Sequence, residues 1–392
     1  LARASGVSQA QMCQIADVYL RGERVIATWG MGITQHKHAV ATIQMIVNLM
    51  LLRGNIGRPG AGLCPVRGHS NVQGDRTVGI NEKPSAAFLD RLGQAFAFAP
   101  PRRDGLSVVD TISAMRDGRV KVFIGMGGNF AMATPDTPRT WEGLRQCDLT
   151  VHVATKLNRS HLVHGRDALI LPCLGRTEID MQQGAVQGVT VEDSMSMVHL
   201  SYGINAPASE HLRSEPTIVA GIAQATMGRA LGGVEDWHWY VEDYDRIRDA
   251  MAATFDDFAD FNRRVRHPGG FRLPVPPSTR QWLTANARAN FTTHPLPHEM
   301  PIDVARRQAG ERGADVLQLA TIRSHDQYNT TIYGLNDRYR GVFGQRRVVF
   351  ANSEDLDARG FRAGEHVDLV GVWHDGIARR ADDFLLVAYD IP

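Results

Sequence analysis

Arg24-Val-Ile-Ala-Thr-Trp29 is a short apolar run, and Gly30-Met31-Gly32 follows it directly. The run predicts a buried strand, and the two glycines predict a turn at its carboxyl end. Helices are predicted on both sides, over residues 8–22 and from about 36 to 54. A helix, a strand, a glycine turn and a second helix are typical of a parallel α/β sheet.

The same pattern recurs further along the chain. Residues 107–117 are predicted to be helical, Val120-Lys-Val-Phe-Ile124 to be a strand, and Gly125-Met-Gly-Gly-Asn129 to be its turn. Two more apolar runs, 149–154 and 168–171, fit further parallel strands. We therefore predict a doubly wound α/β sheet, whose ligands lie beyond the carboxyl ends of the strands.

The C-terminal part of the chain has a different pattern. Residues 237–266 are predicted to be helical, and the proline-rich stretch 271–301 to be a surface connector. Short strands beyond them indicate a small, mostly β domain such as a barrel. These predicted strands are 317–322, 347–350, 366–370 and 384–389.

Composition excludes several classes of protein. The 392 residues include 43 Lys and Arg against 42 Asp and Glu, a formal charge of +1, so no nucleic-acid partner is expected. The longest apolar run, 43–52, is about half a membrane span, which predicts no membrane segment. At about 100–200 residues per domain, the length predicts two to four domains.

The cysteines limit the metal chemistry of the chain. Cys13, Cys64, Cys147 and Cys173 are far apart and form no CxxC pair. A zinc ribbon or a locally ligated iron–sulfur cluster is therefore excluded within this chain. So few cysteines do not make a disulfide scaffold, and a cytoplasmic location is predicted.

One stretch is basic and rich in glycine. No carboxylate occurs between Glu23 and Asp75, and residues 54–79 contain seven glycines. A buried strand and helix explain the missing acids as far as residue 52, but not beyond it. Glycines allow a close approach of the backbone to a ligand, and arginines bind anions, so we favour a ligand-binding loop over a structural one.

Other chemistries fit the sequence less well. Both glycine turns fail the G-x-G-x-x-G fingerprint, since Gln35 and Phe130 occupy the third position, so a nicotinamide-dependent dehydrogenase is disfavoured. Two histidine pairs have no third metal ligand at useful spacing, and surface or capping roles are favoured. A group of four acids further along the chain, between residues 178 and 193, is interpreted as a solvated surface. The pairs are His36 with His38 and His161 with His164, and the acids are Glu178, Asp180, Glu192 and Asp193.

Two consecutive loop segments carry a family resemblance. Gly54-Asn-Ile-Gly-Arg-Pro-Gly-Ala-Gly62 and Pro65-Val-Arg-Gly-His-Ser-Asn-Val-Gln-Gly74 resemble the molybdopterin oxidoreductases, the dimethyl-sulfoxide-reductase family. The similarity is closest to the formate-dehydrogenase-like branch with acid-resistance-associated homologues. Further matching segments are 122–129, 167–173, 323–330 and 352–360, and Thr190-Val-Glu-Asp-Ser194 matches an N-T-E-R-R element loosely.

The resemblance implies a fold and domain boundaries. It implies two doubly wound nucleotide-binding-like domains followed by a double-psi β-barrel, with only the C-terminal portion of the family's chain present. The expected divisions are the end of a first α/β domain over 1–74, a second α/β domain over 75–185, a helical and connector region over 186–311 and a truncated barrel over 312–392.

The resemblance also implies a cofactor and a reaction. It implies molybdenum or tungsten held by bis-molybdopterin guanine dinucleotide, and formate-dehydrogenase-like two-electron redox of a small-molecule substrate. An electron-transfer partner protein is possible. Because the chain begins at Leu1 rather than Met, we expect a 4Fe-4S cluster and the metal-ligating residue only from a missing N-terminal segment. We accordingly expect this chain alone to be inactive.

The site residues are taken over from the matching motifs. Arg67 is implied to orient an anionic substrate, and His69 stands where formate dehydrogenases often have Gln. No metal ligand is assigned. The alternative is a truncated or degenerate homologue that binds a pterin nucleotide or a partner without catalysis. The implied cofactor contacts are Gly30, Met31, Gly32, Asn71, Gln73, Gly74, Gly128, Asn129, Thr155, Lys156, Asn158, Arg323, Gln327 and Asn329.

Overall fold

The computed structural model describes residues 1–234, 236–296, 299–328, 331–373 and 375–391. It divides the chain into two compact units. The larger unit comprises residues 8–294, and the smaller unit comprises residues 1–7 together with 295–392.

Helices and strands occur in both units of the chain, and they alternate through its first half. The α-helices are α1 Ala2–Ser5, α2 Gln9–Arg21, α3 Met31–Thr34, α4 Ala39–Leu52, α5 Val72–Thr77, α6 Ala86–Phe96, α7 Val108–Arg116, α8 Phe130–Ala133, α9 Thr137–Arg145, α10 Glu215–Met227, α11 His238–Glu242, α12 Tyr244–Thr254, α13 Phe261–Val265, α14 Pro301–Gln308 and α15 Ser353–Ala358. The strands are β1 Ile26–Trp29, β2 Gly62–Pro65, β3 Val122–Met126, β4 Leu149–Ala154, β5 Asp167–Pro172, β6 Asp180–Gln182, β7 Ala185–Gln187, β8 Val189–Glu192, β9 Met197–Ser201, β10 Phe271–Arg272, β11 Gln327–Tyr328, β12 Thr331–Ile332, β13 Val348–Ala351, β14 His366–Val370 and β15 Arg380–Ala388.

The first sheet pairs β1 with β2 in parallel, with Trp29 opposite Pro65. The predicted helices flank β1. α2 begins after Ser8, whose side chain accepts a hydrogen bond from the backbone N–H of Gln11, and α4 lies between the two strands in the chain. The two flanking helices are confirmed, because a capping residue such as Ser8 acts locally. Strand β1 is not buried, since Ile26 is exposed, and Met31 and Gly32 of the predicted turn begin the short helix α3.

The second sheet has the order β3-β4-β5 and is parallel throughout. Val151 and Val153 on one face of the central strand and Thr150 and His152 on the other are all buried, as expected where both faces of a parallel sheet are covered. Helices α7 and α9 contribute Met115 and Leu144 to the core cluster, against which Phe123 of β3 packs. The predicted α/β fold is therefore confirmed.

The rest of the larger unit is built on antiparallel strands. The sheet β8-β9-β10 packs an aromatic core that includes Phe258, Phe261 and Phe271. Phe271 and Leu273 are buried in it, so the start of the predicted surface connector is core rather than surface. The predicted helical stretch 237–266 is interrupted at Asp243, which ends α11 and caps α12, and again after α12.

The smaller unit contains a mixed sheet, β13-β15-β14, and the β11-β12 hairpin. The strands predicted at 347–350, 366–370 and 384–389 are confirmed. The one predicted at 317–322 is wrong, because Leu319 and its apolar neighbours are exposed and pair with no strand in the described part of the chain. The double-psi barrel and the four domain boundaries stay predictions. Among the described helices, none is both long and apolar enough to cross a membrane.

Candidate functional site

The glycine turn after β1 and the loop after β2 lie side by side. Because the two strands are parallel, they end at the same edge of their sheet, and the N–H of Val66 donates to the carbonyl of Trp29 over 2.8 Å. A Cβ built on Gly68 would lie 3.6 Å from the sulfur of Met31. The fold thus brings the predicted Gly30–Gly32 turn against the loop that carries Arg67.

Arg67 is fixed at its backbone and at its side chain. Its N–H donates to Ser194 Oγ over 3.2 Å, and its Nε and Nη2 donate to Gln73 Oε1 over 3.1 and 2.7 Å. In the described part of the chain no carboxylate lies within ion-pair distance of this exposed guanidinium. The side chain is therefore held by a neutral amide, and its positive charge faces solvent.

Asn71 ties the same loop to β8. The residue has a positive φ of 63°, its Oδ1 accepts from the N–H of Glu192 over 3.0 Å, and its Nδ2 donates to Asp75 Oδ1 over 3.2 Å. Ser194 and Glu192 belong to the segment that matches the family element loosely. The structure thus joins two parts of the sequence that the motif analysis treats separately.

The acids near β8 are not a solvated surface, contrary to the sequence prediction. Glu192 is only 6% exposed, and its Oε2 has no hydrogen-bond partner in the described structure. Burial opposes ionisation of Asp193, but hydrogen bonds from His199 and from two backbone N–H groups lower the pKa of that carboxyl. Glu192 is enclosed where β8 pairs with β9, opposite Val198, whereas the Asp193 side chain is 43% exposed and is held by His199.

Glu178 and Asp180 are also structural rather than solvated. Glu178 accepts from the backbone N–H groups of Gly175 and Ala208. Asp180 accepts from the hydroxyl of Tyr244, which is buried in the core. Burial and this hydrogen bond raise the pKa of the Tyr244 phenol.

Two of the arginines in the basic stretch donate hydrogen bonds to backbone carbonyl groups. Arg53 donates to the carbonyls of Leu20 and Gly22 over 2.9 and 3.1 Å, and Arg58 donates to the carbonyl of Glu23. These guanidiniums fix the end of α2. The sequence correctly indicates a basic loop, but only part of its charge is available to a ligand.

A second turn lies at the carboxyl ends of β3 and β4. Gly127 and Gly128 have positive φ of 63° and 67°, and Asn158 Nδ2 donates to the carbonyl of Gly128 over 2.7 Å. The hydroxyl of Ser160 donates to Asn129 Oδ1 and accepts from the N–H of Ala131. The loop after β4 therefore supports the turn after β3.

Two buried histidines lie beneath this turn. His152 and His161 are 5% and 9% exposed, their ring centroids are 5.1 Å apart, and neither Nε2 has a partner in the described structure. His161 Nδ1 accepts from the N–H of Asn158, which confirms a capping role. Burial, with a smaller effect of the neighbouring histidines, lowers the pKa of His152.

The other histidine pair and two of the predicted cofactor contacts are more exposed. His36 and His38 lie on the surface, as expected, and the described residues include no group of three metal-ligating side chains. Thr155 and Lys156, just past β4, are exposed. A Cβ built on Gly175 would lie 4.0 Å from the methyl of Thr155.

A comparison with protein families assigns this region. Residues 8–163, which contain both glycine turns, match the family model described as Molybdopterin oxidoreductase. This segment is therefore similar to the molybdopterin oxidoreductases. The two turns and the Arg67 loop lie within the matched residues.

Curated relatives extend the similarity over the whole chain. An uncharacterized oxidoreductase of Mycobacterium tuberculosis is 54% identical over 394 residues, which is 99% of this chain and 49% of that protein. Protein YdeP of Escherichia coli K12 is 51% identical over 389 residues, 99% of this chain and 50% of that protein. The chain therefore spans about half the length of these relatives.

More distant similarities concern a part of the chain or the fold alone. YrhE of Bacillus subtilis, a candidate formate dehydrogenase by its name, is 30% identical over 161 residues, 38% of this chain and 16% of that protein. Acetylene hydratase from Pelobacter acetylenicus superposes with a TM-score of 0.56 at 14% identity, over 99% of this chain and 55% of that one. The latter similarity shows a shared fold.

The residues at the two turns fit a molybdopterin group. A Cβ built on any of the four turn glycines would meet no atom within 4 Å, so the backbone there is open to a large ligand. Asn158 supports one turn through the carbonyl of Gly128, and the loop that carries Arg67 approaches the other at Met31. The four glycines are Gly30, Gly32, Gly127 and Gly128.

The smaller unit contains the remaining predicted cofactor contacts. It also contains a buried charged residue that the sequence analysis does not identify. Arg323 is exposed and Gln327 is partly buried. Asp337, 2% exposed, accepts from the N–H of His325 and from Arg340 Nη1 over 3.2 and 2.9 Å. Nothing in the sequence distinguishes this aspartate from its charged neighbours. The predicted contact Asn329 lies outside the described residues.

Proposed function

We propose that this chain is a bis-molybdopterin-guanine-dinucleotide-binding part of a molybdenum or tungsten oxidoreductase. Its reaction is formate-dehydrogenase-like, a two-electron oxidation or reduction of a small anionic molecule. The proposal rests most directly on Arg67, which is fixed at both ends and has no carboxylate partner in the described part of the chain. The similarity to YrhE over 38% of the chain supports the same substrate class.

Arg67 is suited to bind a carboxylate substrate. Gln73 Oε1 accepts from Nε and from one N–H of Nη2, which leaves the second N–H of Nη2 and both of Nη1 for a ligand. A planar guanidinium binds a carboxylate through parallel, charge-assisted hydrogen bonds, which fix its orientation as well as its position. Gln73 thus acts on the substrate through Arg67, because it sets the plane of the guanidinium.

His69 lies two residues further along the same exposed loop. Oxidation of formate yields carbon dioxide, one proton and two electrons, so the site needs a proton acceptor near the substrate. A ring nitrogen of a neutral imidazole can accept a proton, and we assign this role to His69. The metal, when bound, accepts the two electrons, and the protein supplies orientation and charge.

The glycine turns and their supports are assigned to the pterin nucleotides. Gly30, Met31 and Gly32 form the turn beside Arg67. Asn158 holds the carbonyl of Gly128, and the exposed Lys156 offers a cation for phosphate. The remaining proposed contacts, which lie in the larger unit, are Asn71, Gln73, Gly74, Asn129 and Thr155.

The substrate assignment is tested by kinetics of the native protein loaded with its cofactor. Arg67→Ala removes charge-assisted hydrogen bonds and should lower kcat/KM for formate, measured with an artificial electron acceptor, by about 10- to 100-fold. Arg103→Ala, at an exposed position outside the site, is the matched control and should leave the rate unchanged. Equal rates for both variants would overturn the role of Arg67.

A further inference from the structure

The β8–β9 loop, residues 193–196, is held by its own first residue. Asp193 Oδ1 accepts from the N–H groups of Met195 and Met197 over 2.8 and 3.1 Å, and its Oδ2 accepts from His199 over 3.0 Å. The N–H of Asp193 also donates to the carbonyl of Met197, which continues the pairing of the two strands into the loop. An aspartate that binds the backbone two residues further along stabilises a turn.

One backbone donor and one side-chain donor join the β8–β9 loop to the end of β10. The N–H of Leu273 donates to the carbonyl of Ser196 over 2.8 Å, and Arg272 Nε donates to the carbonyl of Met195 over 3.3 Å. Leu273 is buried and belongs to the aromatic core of the larger unit. The loop therefore has a fixed position relative to this core.

Ser194 connects the β8–β9 loop to Arg67. Its Oγ accepts from the N–H of Arg67 over 3.2 Å, between residues 127 positions apart in the chain. The N–H of Glu192, the last residue of β8, donates to Asn71 Oδ1 over 3.0 Å. Residues 67–71 are thus attached at both ends to the β8 side of the molecule.

The contact with Ser194 and the contact with Gln73 have different effects on Arg67. Gln73 lies six residues further along, at the start of α5, and fixes how the guanidinium is turned. Ser194 belongs to a distant part of the chain that the core holds, so it fixes where Arg67 lies. Both matter, because a displacement of about 1 Å in a substrate-orienting group can lower the rate of a reaction by about 100-fold.

We propose that Ser194 is a positioning residue for the substrate that acts through Arg67, and that Asp193 holds Ser194 in place. Neither side chain touches the substrate. Exposed loops are ordinarily mobile, and these two residues give the loop that carries Arg67 a fixed support. The inference deepens the proposed function, because it rests on Arg67 binding an anionic substrate.

Hydrogen exchange in the native protein, resolved to the Arg67 amide, tests the contact without reference to substrate or cofactor. Ser194→Ala removes the acceptor, and the protection of this amide should fall by about three- to tenfold. Ser194→Thr keeps a hydroxyl on Cβ and should keep the protection. The Val66 amide, which donates to the carbonyl of Trp29, is the internal control and should not change. Equal protection of Arg67 in wild type and Ser194→Ala would overturn the proposal.

Asp193 is tested by the same readout. Asp193→Ala removes the acceptor for two backbone N–H groups of the loop and should expose the Arg67 amide as Ser194→Ala does. Asp193→Asn keeps Oδ1 and should keep most of the protection. Full protection of Arg67 in Asp193→Ala would overturn the role of Asp193.

Kinetics of the native protein loaded with its cofactor test the action on the substrate. Ser194→Ala should lower kcat/KM for formate by about three- to tenfold, and Ser194→Thr should restore most of it. Ser209→Ala is the matched control, because it removes a hydroxyl that also accepts a backbone N–H over 3.2 Å, and it should leave kcat/KM unchanged. Equal kcat/KM in Ser194→Ala and this control would overturn the proposal.

A double-mutant cycle separates the positioning role from a purely structural one. In an Arg67→Ala background, Ser194→Ala should lower kcat/KM no further, because the guanidinium through which it acts is gone. An undiminished further loss in the double variant would overturn the proposal. A wild type that does not oxidise formate would instead refute the proposed substrate, and the exchange result would then decide whether Ser194 holds Arg67.

Discussion

Asn71 covers Gly74 so closely that a Cβ at position 74 would lie 2.0 Å from Asn71 Oδ1. The same oxygen accepts from the N–H of Glu192, so it cannot move away without breaking the link between the loop and β8. Glycine at 74, in the first turn of α5, is therefore required by the side chain of Asn71, which precedes this helix. The hydrogen bond from the N–H of Glu192 to Asn71 fixes the loop that carries Arg67.

Gly74→Ala should consequently displace Asn71 and loosen the loop. We expect a loss of about 1–3 kcal/mol in the free energy of unfolding, measured by denaturant titration, as for other overpacked sites. Gly221→Ala is the control, because α10 has open space there and alanine favours a helix. A Gly74→Ala protein as stable as this control would contradict the account.

The amide donor of Asn158 should be needed to hold the turn at Gly128. Asn158→Asp keeps Oδ1 for Ser160 but places a carboxylate oxygen against the carbonyl of Gly128. Asn158→Ala removes both contacts. We expect both variants to retain less GMP than wild type after gel filtration. Full retention by Asn158→Asp would show that the bond to Gly128 does not position the nucleotide.

Asp337 should make the stability of the smaller unit decrease at low pH. Burial opposes its ionisation, but hydrogen bonds from Arg340 and His325 lower its pKa below the usual value of 3.8. A lowered folded-state pKa stabilises the fold above the unfolded pKa, and this contribution is lost as the pH falls through the folded pKa.

Asp337→Asn should therefore destabilise the protein at neutral pH, by about 3 kcal/mol for a broken buried ion pair, and should lose little more on acidification. The measurement is thermal unfolding as a function of pH. Asp355→Asn, at a partly exposed ion pair with Arg359, serves as the control and should have a smaller effect. Parallel pH profiles for Asp337→Asn and wild type would contradict this role.

The cysteines should differ in reactivity. Cys13 is exposed, whereas burial, assisted by Glu215 and Glu178, raises the pKa of Cys173 to about 11. Since the thiolate is the reactive form, iodoacetamide at mildly alkaline pH should label Cys13 first and Cys173 only after unfolding. Peptide mapping after timed labelling measures the order. Rapid labelling of Cys173 in the folded protein would contradict its placement in the core.

The sequence predicts the features that are local. The strands β1 and β3 follow from apolar runs, and the glycine-containing segment after each could be located from the pattern. The histidine cap is local as well, although the sequence leaves His161 between surface and capping roles. These features depend on neighbours within a few residues along the chain.

Contacts between distant residues could not be predicted in the same way. Asn71 and Glu192 are 121 residues apart, and no spacing rule connects them. Glu192 was expected on the surface because its acidic neighbours suggested solvent, whereas pairing of β8 with β9 encloses it. The strand expected at 317–322 had the right residue types, but a strand also needs a partner, which the sequence does not specify.

The central claim is that the protein binds molybdopterin guanine dinucleotide, and the most direct measurement is the cofactor content of the native protein. Metal analysis and acid release of nucleotide should find about one molybdenum or tungsten and about two GMP per chain. The same protein carrying Arg67→Ala should keep this content, because Arg67 acts on the substrate. Native protein free of metal and GMP, from cells that make the cofactor, would contradict the claim.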